Sequence, residues 1–214
     1  MNKLLSIIIG IVGFVLIEII LRNFVLPDNP GNLQIGLILI AEWALLLILL
    51  FYWIPRVEKS SLKSIGIGKF KIKYLGVGLL TYIGLIFVWM GSSYLLHLAG
   101  LESLRDLDMG SYSYLVLFGL FITGTLLEEI YYRGYLIEKL ILLTQNKWIA
   151  AIVSIVLFIV VHVKFFGWGP ALEVGVISIA LALIYLKYRN IWPCIILHGI
   201  NNLLAFIIFP LFIK

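Results

Sequence analysis

Charge is what this chain has least of. Asp, Glu, Lys and Arg make up 13% of its 214 residues against 63% hydrophobic, a balance far outside that of a soluble globular domain. A soluble enzyme and a disordered tail are thereby excluded. Cysteine is nearly missing: Cys194 stands alone, so it closes no internal bridge and shares no metal with a second thiol. A disulfide scaffold is excluded, and Cys194 reads as a small apolar filler near a helix start. Alternation is missing too, because the apolar segments are continuous, which excludes a β-barrel. What is present instead is a mean hydropathy of +1.12 and several apolar runs, each long enough for the roughly 20 helical residues that cross a bilayer.

The runs give about seven spans: Leu4 to Leu21, Ile35 to Ile54, Tyr74 to Leu98, Tyr114 to Leu143, Trp148 to Phe166, Ala171 to Tyr188 and Ile191 to Phe212. The predicted fold class is all-α, a multi-pass transmembrane helical bundle, with residues 1–214 as a single integral membrane domain. The first run follows Lys3 but is too long for a signal peptide and meets no small-residue cleavage site before Pro27, so it reads as a retained helix. No internal repeat or linker divides the chain.

Counted over alternate loops, Lys3, Arg56, Lys59, Lys63, Lys69, Lys71, Lys73, Lys139, Lys147, Lys187 and Arg189 fall on one side. Arg22, Arg105, Lys164 and Lys214 fall on the other. The asymmetry predicts a cytoplasmic N-terminus and an external C-terminus, in the cell membrane. The net charge of +5 therefore belongs to topology, and no nucleic acid is expected as a partner. Leu101 to Ser111, with Glu102, Asp106 and Asp108 against Arg105, becomes an external acidic loop. Pro55 to Lys73 is basic and amphipathic enough to lie on anionic headgroups, with a plain solvated loop as the alternative. Trp53, Tyr74, Trp148, Trp168 and Trp192 sit at span ends as interfacial anchors. Trp168 and Pro170 are expected in a tight turn between the fifth and sixth spans.

Ionisable groups inside hydrocarbon are costly, and each is a functional candidate. They are Glu18, Glu42, His97, Glu128, Glu129, Arg133, Glu138, His162, Glu173 and His198. Most fall in the fourth, fifth and seventh spans, together with Asn201 and Asn202, which predicts one polar pocket assembled from three helices. Glu129 and Arg133 are at i,i+4, share a face and can pair; Glu128 points about 100° away and, without that partner, is available as a general base. The alternative is an interfacial charge cluster with no chemistry. Phe158 can pack on His162 at i,i+4 and fix its ring, although a histidine there can equally serve a hydrogen bond between helices. His198 and Asn202, again at i,i+4, can aim two donors at one spot, as an oxyanion site requires.

Together, Glu-Glu-x-x-x-Arg (Glu128, Glu129, Arg133), Phe-x-x-x-His (Phe158, His162) and His-x-x-x-Asn (His198, Asn202), in this order on successive apolar segments, resemble the CPBP family. That family comprises the type II CAAX prenyl endopeptidases and the bacteriocin-processing or immunity (Abi) proteins. The resemblance covers residues 114–206. It implies an intramembrane endopeptidase, a hydrolase with a conical active-site cavity among the helices. By matching position, Glu128 and His162 would hold and activate the attacking water, His198 and Asn202 would stabilise the oxyanion, and Glu129, Arg133 and Phe158 would support them. The implied partners are the lipid bilayer and a membrane-associated or prenylated peptide or protein substrate, CAAX-like or leader- and bacteriocin-like.

The family is often labelled metalloprotease, and zinc held by Glu128, His162 and His198 is possible. No His-Glu-x-x-His helix is present, and a metal-free glutamate mechanism is favoured. Other intramembrane proteases are set aside: Asp28, Asp106 and Asp108 all lie in loops, and no Gly-x-Ser-x-Gly occurs. Two rivals remain, a non-catalytic immunity or scaffold member of the same family and a small proton-coupled transporter. Three expectations fit less well. Glu18 and Glu42 have no clear role. With alternating spans, His162 falls nearer the outer side than Glu128 and His198. The fourth span, about 45 Å as a straight helix, must tilt, break near Gly134 or project from the membrane.

Overall fold

The computed structural model describes residues 2–27, 29–101 and 109–213. Seven helices are long and apolar enough to cross a membrane: α1 Lys3–Ile20, α2 Asn32–Val57, α3 Lys73–Leu98, α4 Tyr114–Thr144, α5 Lys147–Phe166, α6 Trp168–Tyr188 and α7 Trp192–Phe212. No strand occurs among the described residues. The hydropathy reading is matched span for span, because in hydrocarbon every backbone polar group must be satisfied within its own helix. Glu102, Arg105, Asp106 and Asp108 of the expected acidic loop, and Asp28, lie outside the described residues.

α4 passes between two apolar clusters. One joins Ile7 and Phe14 of α1, Leu46 of α2, Tyr131 and Tyr135 of α4 and Phe158 of α5. The other joins Leu85 of α3, Ile137 of α4, Leu181 of α6 and Leu197 of α7. α4 does not break at Gly134. It runs on through π-helical stretches at Thr123–Leu127 and Glu129–Leu136, on either side of Glu128. Such wide turns re-aim side chains and often mark functional sites. Gly134 has a different use: a Cβ there would stand 2.6 Å from the Ile65 carbonyl oxygen.

That close approach corrects the expectation for Pro55 to Lys73. Pro55 to Val57 are the end of α2, and the stretch then folds back onto its own bundle rather than lying wholly on headgroups. Ile65, in a single 3₁₀ turn at Leu62–Ile65, is fully buried. The Gly66 carbonyl accepts from the Ile191 amide at 3.0 Å, and the Gly68 carbonyl accepts from Trp192 Nε1 at 2.9 Å. Loop backbone otherwise orphaned is thus paired to the start of α7. Lys63, Lys69, Lys71 and Lys73 stay exposed.

The turn between α5 and α6 is tighter than expected. Gly167 alone makes it, at φ +78°, a conformation that glycine adopts without Cβ strain. Trp168 and Pro170 already belong to the first turn of α6, where a proline costs no internal hydrogen bond.

α4 also resolves the depth of the site. Gln145 takes a left-handed conformation after α4, and Asn146 caps α5 by accepting from the amides of Trp148 and Ile149 at 2.9 and 3.2 Å. Glu128 and His162 stand equally far along the chain from Gln145, so this helical hairpin brings them level. The lower part of α4 projects beyond the neighbouring turn, since Glu138 already meets Arg189 and Tyr185 at the α6–α7 connection.

Candidate active site

A cavity of about 720 Å³ lies among the helices. Phe165, Phe166 and Phe206 form part of an apolar wall, and Glu128, His162, His198, Asn201 and Asn202 bring polar groups to it from α4, α5 and α7. The predicted gathering of late-helix polar residues is therefore what the fold produces.

His162 is buried on α5 with its Nδ1 2.6 Å from the Phe158 carbonyl oxygen. An oxygen can only accept, so Nδ1 carries the proton and donates, and Nε2 is left to face Oε1 of Glu128 at 3.9 Å. That gap is too long for a hydrogen bond and is of the size a shared water bridges. The Phe158 ring lies 4.5 Å from the imidazole, centroid to centroid. The same ring meets the Arg133 guanidinium, 4.2 Å from the ring centre, and lies edge-on to Tyr132 and His198 at 5.0 and 6.0 Å. The expected packing of Phe158 on His162 is present, and the orientation comes chiefly from the backbone carbonyl one turn earlier.

Glu129 and Arg133 form the expected i,i+4 pair, 2.9 Å apart with both side chains wholly buried. The same Glu129 oxygen accepts from His198 Nδ1 at 2.8 Å, and Arg133 also donates to Ser178 Oγ at 3.0 Å. α4, α6 and α7 are tied together by this network, and His198 has its ring held while it lines the cavity. Asn202, one turn beyond His198, is buried against the π-helical stretch of α4. A Cβ on Gly124 would stand 2.6 Å from its Nδ2, so only glycine leaves Asn202 its place. Its Oδ1 accepts from Asn201 Nδ2 at 3.2 Å.

Glu128 does have a cationic partner, and the sequence reading missed it. Arg22, expected in an outer loop, is buried. The chain leaves α1 through a π-helical turn at Leu21–Val25, which carries the guanidinium inward. Its Nε meets Glu42 Oε1 at 3.0 Å, and its Nη2 meets Glu18 Oε1 at 3.3 Å and Glu128 Oε1 at 3.4 Å. Glu18 also accepts from Tyr132 OH at 2.6 Å. Glu18 and Glu42 thus have a role: with Glu128 they compensate one buried cation, which would otherwise be prohibitive to desolvate. The legible signal was Glu18 and Arg22 at i,i+4 near the end of an apolar span.

The remaining candidates lie apart from this centre. Glu138 pairs with Arg189 and Tyr185, Glu173 accepts from Ser93 Oγ on another part of the cavity wall, and His97 is exposed in the last turn of α3. Among the described residues no three His, Cys, Asp or Glu side chains are grouped to hold a metal ion.

Fold and site together define a multi-pass, all-helical membrane protein with a largely apolar cavity inside the bundle, into which a cluster of polar and charged side chains projects. Residues 110–204 match the family model of the Type II CAAX prenyl endopeptidase Rce1-like proteins, which bears out the CPBP resemblance carried by the three motifs. The match takes in Glu128, Glu129, Arg133, Phe158, His162, His198 and Asn202 and leaves out Glu18, Arg22 and Glu42. No curated protein and no solved structure matches the chain.

Proposed function

We propose that the chain is an intramembrane endopeptidase that hydrolyses a peptide bond of a membrane-associated substrate, CAAX-like or leader-like, without a metal ion. The observation that carries this reading is the pair Glu128 and His162: His162 Nε2 faces Glu128 Oε1 across 3.9 Å, with Nδ1 committed to a backbone carbonyl. A water held between them gives a proton to this pair as its oxygen attacks the scissile carbonyl. Negative charge then develops on the former carbonyl oxygen, and Asn202 Nδ2 meets it as a donor together with His198 Nε2 in the doubly protonated ring, whose Nδ1 proton is committed to Glu129. The proton passes to the leaving amine as the C–N bond breaks, which returns the site to its starting state.

Glu129 and Arg133 support the chemistry by holding His198. A preset donor in a water-poor cavity needs no reorganisation as charge develops, and removing one costs about a hundred- to thousandfold in rate. In this reading the protein resides in the cell membrane with a cytoplasmic N-terminus. The test is mass-spectrometric detection of cleavage in a library of membrane-anchored peptides, prenylated CAAX peptides included, by purified protein in lipid nanodiscs. Cut sites made by wild type and absent with Glu128→Gln are the expected result; cleavage by Glu128→Gln at the wild-type rate would remove Glu128 from the reaction.

A further inference from the structure

We propose that Arg22 is a positioning residue for this reaction, so that the site is completed by α1 and α2, outside the segment matched to the family. The inference rests on the protease reading and adds a part to it.

The oxygen of Glu128 that faces His162 Nε2, Oε1, is also the one held by Arg22 Nη2 at 3.4 Å. One guanidinium nitrogen thus fixes the side of the carboxylate on which a bridging water would sit. Arg22 is itself immobilised: Nε is held by Glu42 at 3.0 Å and Nη2 by Glu18 at 3.3 Å, while the Phe165 ring lies 5.8 Å from its central carbon. Glu18 is held in turn by Tyr132 OH. The planar fork of an arginine reaches several carboxylates in fixed directions, which a lysine cannot do. Glu128 stands between two π-helical stretches of α4, a backbone irregularity that often marks functional sites. Arg22 also lines the cavity, close enough to act on the reacting group rather than only on the fold.

The role is tested by steady-state kinetics of wild type, Arg22→Lys and Glu42→Gln in nanodiscs, using a farnesylated CAAX peptide and unprenylated membrane-anchored peptides as probes. Thermal midpoint and monodispersity are measured on the same samples. Arg22→Lys keeps the charge and loses the fork; kcat is expected to fall about a hundredfold, the scale of a misplaced reacting group, with KM within about threefold. Glu42→Gln leaves Arg22 a neutral acceptor, and a smaller fall in kcat, about tenfold, is expected. In Arg22→Ala, added guanidinium should restore part of the turnover, and it should restore none in Glu128→Gln. A merely structural arginine would lower folded protein and leave kcat per folded molecule unchanged. That result, or wild-type kcat in Arg22→Lys and Glu42→Gln, overturns the role while the protease reading stands. Absence of wild-type turnover on every probe counts against the protease reading itself and takes the role with it.

Discussion

Glu128 and Glu129 are adjacent in the chain and answer to different cations. Oε1 of Glu128 lies 3.4 Å from Arg22 on the first helix, and Oε1 of Glu129 lies 2.9 Å from Arg133 one turn away on its own helix. The wide backbone turns around Glu128 and the 100° step of a helix aim the two carboxylates at separate partners. One lines the cavity beside His162. The other is sealed behind it and holds His198.

This division predicts opposite behaviour from two conservative substitutions. Arg133 has Glu129 as its carboxylate partner, so Glu129→Gln leaves a wholly buried guanidinium uncompensated, at a cost of about 3–5 kcal/mol. Arg22 keeps Glu18 and Glu42 when Glu128 is neutralised. Thermal unfolding in nanodiscs or detergent should therefore show a large loss for Glu129→Gln and a small one for Glu128→Gln. Equal losses would contradict the separation.

How far this was legible in the sequence follows from the range of each contact. The seven spans could be read because a helix in lipid satisfies its own backbone, which makes apolar length a local signal. The pairing of Glu129 with Arg133 and the packing of Phe158 on His162 are one-turn relations, so spacing alone predicted them. Arg22 with Glu128 is a contact between the first and fourth helices, and no periodicity encodes it. Counting charges by loop placed Arg22 outside the bundle, although the cost of Glu18 and Glu42 in hydrocarbon already called for a buried cation. The level of His162 was misjudged for a similar reason, since the depth of α5 depends on how far α4 projects beyond its neighbours.

Gly134→Ala tests the docking of the loop after α2. The added Cβ would meet the Ile65 carbonyl oxygen at 2.6 Å, and backbone on both sides leaves little room to yield. Overpacking of this kind costs about 1–3 kcal/mol. A lowered thermal midpoint, with faster hydrogen exchange in residues 62–68, is the expected outcome; unchanged exchange there would show that the loop is held by other contacts.

Gly124→Ala tests the placement of Asn202. Its Cβ would press on Asn202 Nδ2, a side-chain atom that can swing away, so the fold should persist while the donor leaves its position. Turnover is expected to fall about a hundredfold, as for loss of an oxyanion donor, with a near wild-type thermal midpoint. If turnover survives this change, Asn202 does not serve the oxyanion.

Hydrolysis by a glutamate and a histidine across the cavity is tested by following cleavage of a membrane-anchored substrate peptide in nanodiscs. Wild type and Glu128→Gln are compared, each with and without a strong chelator. Wild-type cleavage is expected to persist in chelator and to be lost in Glu128→Gln. Cleavage abolished by chelator and restored by zinc would contradict this and would place the metal, rather than the pair of Glu128 and His162, at the water.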